Sequence, residues 1–151
     1  MSQELEELIE TAMYKEIASN AFYSAGLKQT EDRGAIALLS ELAEDELGHL
    51  KKLKKLKEGD WNKAPWVSKR VADLKLSDYI SGSDKLEGAG LQDALISAIK
   101  HEQKAVDFYS RMTSLFRDEE AKSLCQWLAQ QELNHKQKLE KFYDDFFYAE
   151  D

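Results

Sequence analysis

Two short segments of the chain carry the same pair of residues able to bind a metal ion. In each, a glutamate is followed three residues later by a histidine: Glu46 and His49, then Glu132 and His135. Three residues along an α-helix turn by about 300°, so the carboxylate and the imidazole project from nearly the same face. A single pair of this kind arises easily by chance, so the two are informative only through what accompanies them.

The two pairs belong to an internal repeat, because Glu46 and Glu132 are 86 residues apart and the same offset matches other positions. The matched residues are Glu16 and Glu102, Phe22 and Phe108, Tyr23 and Tyr109, Glu46 and Glu132, and His49 and His135. A self-match at a fixed offset indicates a duplicated supersecondary unit. Each unit has a Glu-x6-Tyr segment, with Glu-x-x-His following thirty residues after its first glutamate.

Four helices are predicted to position these residues, since apolar residues recur in steps of three and four. They cover about residues 4–28, 31–58, 88–114 and 118–147. Thr30 is the predicted N-cap of the second helix. The predicted inward residues include Leu8, Ala12, Ile36, Leu39, Leu42, Leu53, Leu95, Ala98, Cys125, Leu128, Leu139, Phe142 and Phe146. The six repeated Glu and His residues interrupt these apolar stripes.

Residues 59–87 lose the helical periodicity and contain the single proline of the chain. A helix of about 25 residues is roughly 38 Å long, so a connection of this length can run from one end of a bundle to the other. Trp61 and Trp66 would anchor it to the side of the bundle. We therefore predict an all-α four-helix bundle in one domain, built as two antiparallel hairpins joined by a long crossover.

Composition excludes several classes of protein. A net charge of −8 argues against nucleic-acid binding, which usually needs a basic face. No apolar run is long enough to cross a membrane. The single cysteine, Cys125, rules out an intrachain disulfide and a four-cysteine iron site. The acidic N-terminal segment lacks the apolar stretch of a signal peptide, so cytoplasmic residence is expected.

Four glutamates and two histidines pointing into one core would be costly on their own, because buried carboxylates need partners. Two divalent cations would neutralise four carboxylates. A set of oxygen and nitrogen donors suits iron or manganese and also permits zinc. Each of the six residues lies near the middle of its predicted helix, so all six can meet at the centre of the bundle.

With these motifs the chain resembles the ferritin-like di-iron carboxylate proteins, specifically the rubrerythrin group. The donor set of that class is one glutamate from each of two helices and Glu-x-x-His from each of the other two. The resemblance implies two iron ions bridged by Glu46 and Glu132. It further implies Glu16 and Glu102 as terminal ligands, His49 and His135 as ligands of one ion each, and Tyr23 and Tyr109 as hydrogen-bond donors to ligand carboxylates.

Two departures from the rubrerythrin pattern stand out. The rubredoxin domain with its four cysteines is missing from this sequence. The additional carboxylate near the third-helix ligand is missing too, since the positions one turn from Glu102 are Ala98, Ile99, Ala105 and Val106.

The leading hypothesis is therefore a non-haem di-iron oxidoreductase that acts in oxidative-stress defence by reducing peroxide or dioxygen. It would take electrons from a separate donor such as a rubredoxin-like protein, and the resemblance suggests a homodimer. One alternative is an iron-storage or ferroxidase protein of the ferritin family. Another is a metal-free helical interaction protein.

Four other features receive simpler interpretations. Asp45 lies one turn before His49, but its repeat mate is Gln131, which argues against a supporting role at the site. His101 has no repeat mate and is read as a surface or interface residue. The lysines of residues 51–57 are read as a solvated helix face, and Cys125 as a small buried apolar residue.

Overall fold

The computed structural model describes residues 1–59 and 90–148, so most of the predicted crossover, with Trp61 and Trp66, lies outside the described residues. The described chain forms four α-helices and no strand, which confirms the all-α four-helix bundle. The helices are α1 (Gln3–Gly26), α2 (Arg33–Lys57), α3 (Leu91–Leu115) and α4 (Glu119–Phe147). A short 3-10 helix, Leu27–Gln29, follows α1.

Side-chain caps begin the first two helices. The Ser2 hydroxyl accepts from the backbone N–H of Leu5, and the Asp32 carboxylate accepts from that of Ala35. The prediction of Thr30 as the N-cap of α2 is wrong. Its hydroxyl accepts from the Asp32 N–H instead, because the chain runs on through the 3-10 helix before α2 starts. At its far end, α2 stops before Gly59, whose φ of 95° is a left-handed conformation suited to glycine.

Side-chain contacts give the direction of each helix. Lys57 at the end of α2 pairs with Glu10 near the start of α1, so these two helices are antiparallel. Tyr143 near the end of α4 accepts from Gln92 at the start of α3, so α3 and α4 are antiparallel as well.

The start of α4 lies beside the start of α1, where Ser2 donates to the Asp118 carboxylate at 2.7 Å. It follows that α2 ends and α3 begins at opposite ends of the bundle.

Two apolar clusters fill the two ends of the bundle. One contains Leu5, Leu8, Ile9, Ala12, Leu53, Leu56, Tyr109, Leu124, Cys125 and Leu128. The other contains Tyr23, Leu39, Leu42, Leu95, Ala98, Ile99, Leu139 and Tyr143. On every helix the residues of the two clusters flank the predicted ligands, so the polar residues occupy the level between two water-excluding layers.

Two predicted inward residues lie at the surface instead. Ile36 is 38% exposed and Phe146 is 47% exposed. The inward stripe of α2 starts one residue earlier, at Ala35, and reaches Leu39 in a step of four. Phe146 belongs to the last turn of α4, where it stacks on Phe142 rather than on another helix.

No helix in residues 1–59 and 90–148 is long and apolar enough to cross a membrane.

Candidate metal centre

All six predicted ligands lie at the middle level of the bundle and are buried. Glu46 and Glu102 have no exposed surface, and His49, the most accessible of the six, is only 5% exposed. α1 supplies Glu16, α2 supplies Glu46 and His49, α3 supplies Glu102, and α4 supplies Glu132 and His135. The helical periodicity brings them inward, since each continues the apolar stripe of its helix.

The six side chains form two overlapping groups, each with four donor atoms within 4.8 Å of one another. The first group is Glu16, Glu46, His49 and Glu132. The second group is Glu46, Glu102, Glu132 and His135. Glu46 and Glu132 occur in both groups, so these two carboxylates are shared between the two candidate metal positions. Each group also draws donors from both helical hairpins.

The two histidines present the same ring nitrogen to the carboxylates. Nδ1 of His49 lies 3.4 Å from Glu16 Oε2 and 3.8 Å from Glu132 Oε1. Nδ1 of His135 lies 2.7 Å from Glu46 Oε1 and 3.5 Å from Glu132 Oε2. The two imidazoles are nearly parallel, with ring centroids 5.5 Å apart. This arrangement follows the twofold relation between the repeats.

The inward-facing atoms lack hydrogen-bond partners among the described residues. Both carboxylate oxygens of Glu16 and of Glu46, one each of Glu102 and Glu132, and Nδ1 of both histidines are buried and make no well-aligned hydrogen bond. This includes the closest pair, Nδ1 of His135 and Oε1 of Glu46 at 2.7 Å. Buried polar atoms are normally hydrogen-bonded, so such a concentration at one point needs an explanation. A metal ion supplies one, because a carboxylate oxygen and a neutral imidazole nitrogen are electron-pair donors to iron, manganese or zinc. The residues therefore fit a dinuclear metal centre.

Crowding of carboxylates changes their proton affinity when no cation is bound. Burial, reinforced by the charge of Glu132, raises the pKa of Glu16 to about 8. Burial and the same neighbour raise the pKa of Glu46 to about 10, and that of Glu102 well above its usual range. Burial also acts to raise the pKa of Glu132, but contacts with Glu102 and His135 outweigh it and the pKa falls below its usual range.

The histidines respond in opposite directions. Burial lowers the pKa of His49. Burial acts the same way on His135, but the carboxylates of Asp45, Glu132 and Glu46 hold its proton and raise its pKa well above the usual range. In the absence of metal the centre therefore retains protons that divalent cations would displace.

The two repeat-mate tyrosines occupy different surroundings. The Tyr23 hydroxyl donates to Oε1 of Glu102, on the opposite hairpin. The Tyr109 hydroxyl is buried and has no hydrogen-bond partner among the described residues. Burial raises the pKa of both phenols well above the usual range, so both remain neutral donors. Of these two tyrosines, Tyr23 alone hydrogen-bonds a candidate ligand among the described residues.

Asp45 contributes to the site although its sequence argued against this. Its Oδ2 atom lies 3.3 Å from Nε2 of His135, the ring nitrogen that faces away from the other carboxylates. Nothing in the sequence indicated this contact, because Asp45 faces the histidine of antiparallel α4 and not His49 on its own helix. Contact with His135 lowers the pKa of Asp45. A carboxylate in this position fixes which nitrogen of the histidine is free to bind a metal.

His101 and Trp127 also lie closer to the site than their sequence positions indicate. His101, predicted to be a surface or interface residue, is half-buried, with Nε2 2.8 Å from the Ser19 hydroxyl and its ring stacked on Phe22. The rings of Trp127 and His49 make a T-shaped contact, with centroids 5.3 Å apart. Neither residue has a repeat mate of its own type, so the repeat gave no signal for them.

The family model for rubrerythrin matches residues 1–57 and 93–151, which include all six candidate ligands and both tyrosines. The chain belongs to the rubrerythrin family. The first matched segment covers the hairpin of α1 and α2, and the second covers nearly all of the hairpin of α3 and α4. Each segment contains one Glu-x-x-His pair. The single cysteine of this sequence cannot form the four-cysteine iron site of a rubredoxin domain.

A comparison with solved structures finds the same fold in a hypothetical protein from Pyrococcus furiosus. The two chains share 27% sequence identity and superpose with a TM-score of 0.65, covering 97% of this rubrerythrin-family chain and 92% of the other. A comparison with curated protein sequences finds no match.

Proposed function

We propose that this protein is a non-haem dinuclear metal oxidoreductase that reduces hydrogen peroxide, or dioxygen, with electrons from a separate donor. The observation that carries the proposal is the pair of overlapping four-donor groups sharing Glu46 and Glu132. Membership of the rubrerythrin family supports iron as the metal. When bound, two iron ions would supply the two electrons that, with two protons, convert one peroxide molecule to two water molecules.

The residues of the chain would prepare the centre for this chemistry in three ways. Four carboxylates would balance the charge of two divalent ions, which neither group could do alone. Tyr23 would hold Glu102 in place by donating a hydrogen bond to its Oε1 atom, which leaves Oε2 available to a metal ion. The apolar clusters on either side of the centre would exclude bulk water from it. Exclusion of water strengthens the electrostatic contacts inside.

The first test is an anaerobic Fe(II) titration of the metal-free protein, followed by mixing with peroxide. We expect a break at about two ions per chain and oxidation by peroxide much faster than that of free Fe(II). Glu46→Ala should remove the break, because both groups lose a donor. Glu44→Ala, at an exposed position on the same helix, is the matched control. Peroxide oxidation no faster than that of free Fe(II) would refute the peroxidase reaction.

The same titration in air separates the enzyme from iron storage. Continued uptake far beyond two ions per chain, in a large hollow oligomer, would favour storage over the proposed reaction. The homodimer implied by the family resemblance stays a prediction, to be checked by sedimentation. Tyr14 and Ile17, which α1 leaves 73% and 51% exposed, are the positions at which to test it by substitution.

A further inference from the structure

The proposed reaction needs an electron donor, and helices α2 and α4 carry a surface suited to receive it. From Leu47 to Lys57 the sequence of α2 has five lysines and no acidic residue. On the facing helix α4, the segment from Ala121 to Leu139 has Glu132 as its one acidic residue, and that side chain is buried in the site. Within these two segments, a chain with a net charge of −8 therefore has exposed lysines and no exposed carboxylate, and we call these lysines the basic surface.

Helix-end electrostatics accounts for only some of these lysines. Lys54, Lys55 and Lys57 lie in the last turn of α2, where the helix dipole favours cations, and Lys57 pairs with Glu10. Lys51 and Lys52 lie before that turn, are exposed, and have no carboxylate partner among the described residues. A lysine without a carboxylate partner on an otherwise acidic protein can form an ion pair with an acidic partner protein.

Beneath this surface an aromatic residue leads directly to a candidate ligand. The ammonium of Lys52 lies over Trp127 at 5.3 Å from the ring centroid, within the range of a cation–π contact. Trp127 is 4% exposed and makes a T-shaped contact with the ring of His49, with centroids 5.3 Å apart. Nδ1 of His49 in turn faces Glu16 inside the centre. We call Lys52, Trp127 and His49 the tryptophan side.

The internal repeat provides a built-in comparison on the same seam. At the offset of 86 residues, Lys52 corresponds to Lys138 and Trp127 to Glu41. There, Lys138 is paired with Glu41 at 2.6 Å, and Asp45 faces the outer nitrogen of His135. We call these residues the carboxylate side. Two carboxylates and one paired lysine would repel an acidic protein, so the two sides of a duplicated site present opposite charges.

We infer that an acidic one-electron carrier protein docks on the tryptophan side and delivers electrons to the metal centre through Trp127 and His49. The inference rests on the proposed function. Each encounter would oxidise the carrier by one electron and reduce the centre by one. Two encounters and two protons would balance the reduction of one peroxide to two waters. The rate of electron tunnelling falls steeply with distance. Transfer is therefore favoured where the ring of Trp127 lies between the protein surface and the candidate ligand His49.

Binding is tested first, without turnover, using zinc-substituted rubredoxin as a redox-inert acidic probe. Lys52→Glu and Lys138→Glu introduce the same charge change at repeat-related positions of the iron-loaded protein. We expect Lys52→Glu to weaken binding about tenfold at low salt and Lys138→Glu to change it less than twofold. The difference should shrink as ionic strength rises. Equal effects of the two substitutions, or none, would overturn the docking site.

Electron transfer is tested next, by stopped-flow oxidation of reduced rubredoxin with the diferric protein. Trp127→Phe keeps an aromatic ring in the core and should bind zinc-rubredoxin normally while transferring electrons several-fold more slowly. With the positively charged methyl viologen radical as reductant, Lys52→Glu should accept electrons faster than wild type. The charge effect then has the opposite sign to that seen with acidic rubredoxin. Unchanged transfer in Trp127→Phe would overturn the role of the indole.

Two outcomes separate this inference from its premise. If the wild-type protein binds two irons and reacts rapidly with peroxide, yet Lys52→Glu accepts electrons from rubredoxin as well as wild type does, the docking site is wrong and the proposed function stands. A duplex oligonucleotide that binds these lysines more tightly than zinc-rubredoxin would likewise overturn it, because the basic surface would then serve nucleic acid.

Discussion

Removal of metal should make the stability of the bundle depend on pH in an unusual direction. Glu16 has a folded-state pKa of about 8, against 4.5 for an exposed glutamate, and Glu46 has one of about 10. A carboxyl whose pKa is raised on folding contributes stability that is complete below the unfolded value and is lost as pH rises toward the folded value. The metal-free protein should therefore become less stable between pH 5.5 and pH 7.5.

The expected size follows from one proton retained over two pH units. At about 1.4 kcal/mol per unit, Glu16 alone accounts for a loss of about 3 kcal/mol. For a chain of this length that corresponds to a fall in Tm of roughly 6–12 °C. The lowered pKa of His49 opposes this trend only below the ordinary histidine value of 6.5, and the raised pKa of His135 reinforces it above that value.

The assay is thermal unfolding of the metal-free protein at pH 5.5, 6.5 and 7.5, with and without Mn(II). Glu16→Gln should reduce the slope by the share of one proton without abolishing it, because the amide does not titrate while Glu46 and Glu102 still retain their protons. Glu44→Gln, at an exposed position, should leave the slope unchanged. Added Mn(II) should reverse the slope, because metal binding displaces the protons and strengthens with pH. A metal-free protein whose Tm is flat or rises over this range would refute the burial of these carboxylates.

Three further predictions address single side chains. Asp45→Asn should weaken metal binding about 10- to 100-fold in a competitive chelator titration, because His135 loses the carboxylate that orients it, and an unchanged affinity would exclude that role. Tyr23→Phe should cost about 1–3 kcal/mol in denaturant unfolding of the metal-free protein by leaving Oε1 of Glu102 without its donor; a variant as stable as wild type would contradict the hydrogen bond. Gly48→Ala should stabilise the protein by about 0.5–1 kcal/mol, since nothing lies within 4 Å of the added methyl group and glycine is unfavourable inside a helix. A fall in Tm for this last variant would mean that another molecule packs against α2.

The bundle and the six candidate ligands follow from information that is local in sequence. Helical periodicity shows which residues share a face, and Glu46 and His49 continue the stripe that Leu42 begins and Leu53 resumes. The repeat then shows that two such stripes carry the same interruption. Because burial of a carboxylate without a partner is so costly, the interruption itself predicts the metal.

Contacts between helices could not be predicted in the same way. Asp45 faces His135 because α2 and α4 run antiparallel at a particular height, and no spacing within either helix records that height. The same holds for Trp127 against His49 and for Ser19 with His101. Helix ends were misjudged for a different reason. At Ile36 the inward stripe is displaced by one residue, to buried Ala35, and Phe146 lies in the last turn of α4, where it stacks on Phe142.

The division of the donors between the two hairpins has a consequence for what the site can become. One hairpin carries two glutamates and a histidine, half of the donor set, so two identical hairpins related by a twofold axis would rebuild the whole. Identical copies, however, would have to place the same residue behind both histidines. When both hairpins belong to one chain, this restriction no longer applies, and the residues near the two histidines differ at two pairs of repeat-related positions. Asp45 corresponds to Gln131 and Glu41 to Trp127, so the two candidate metal positions have different neighbours.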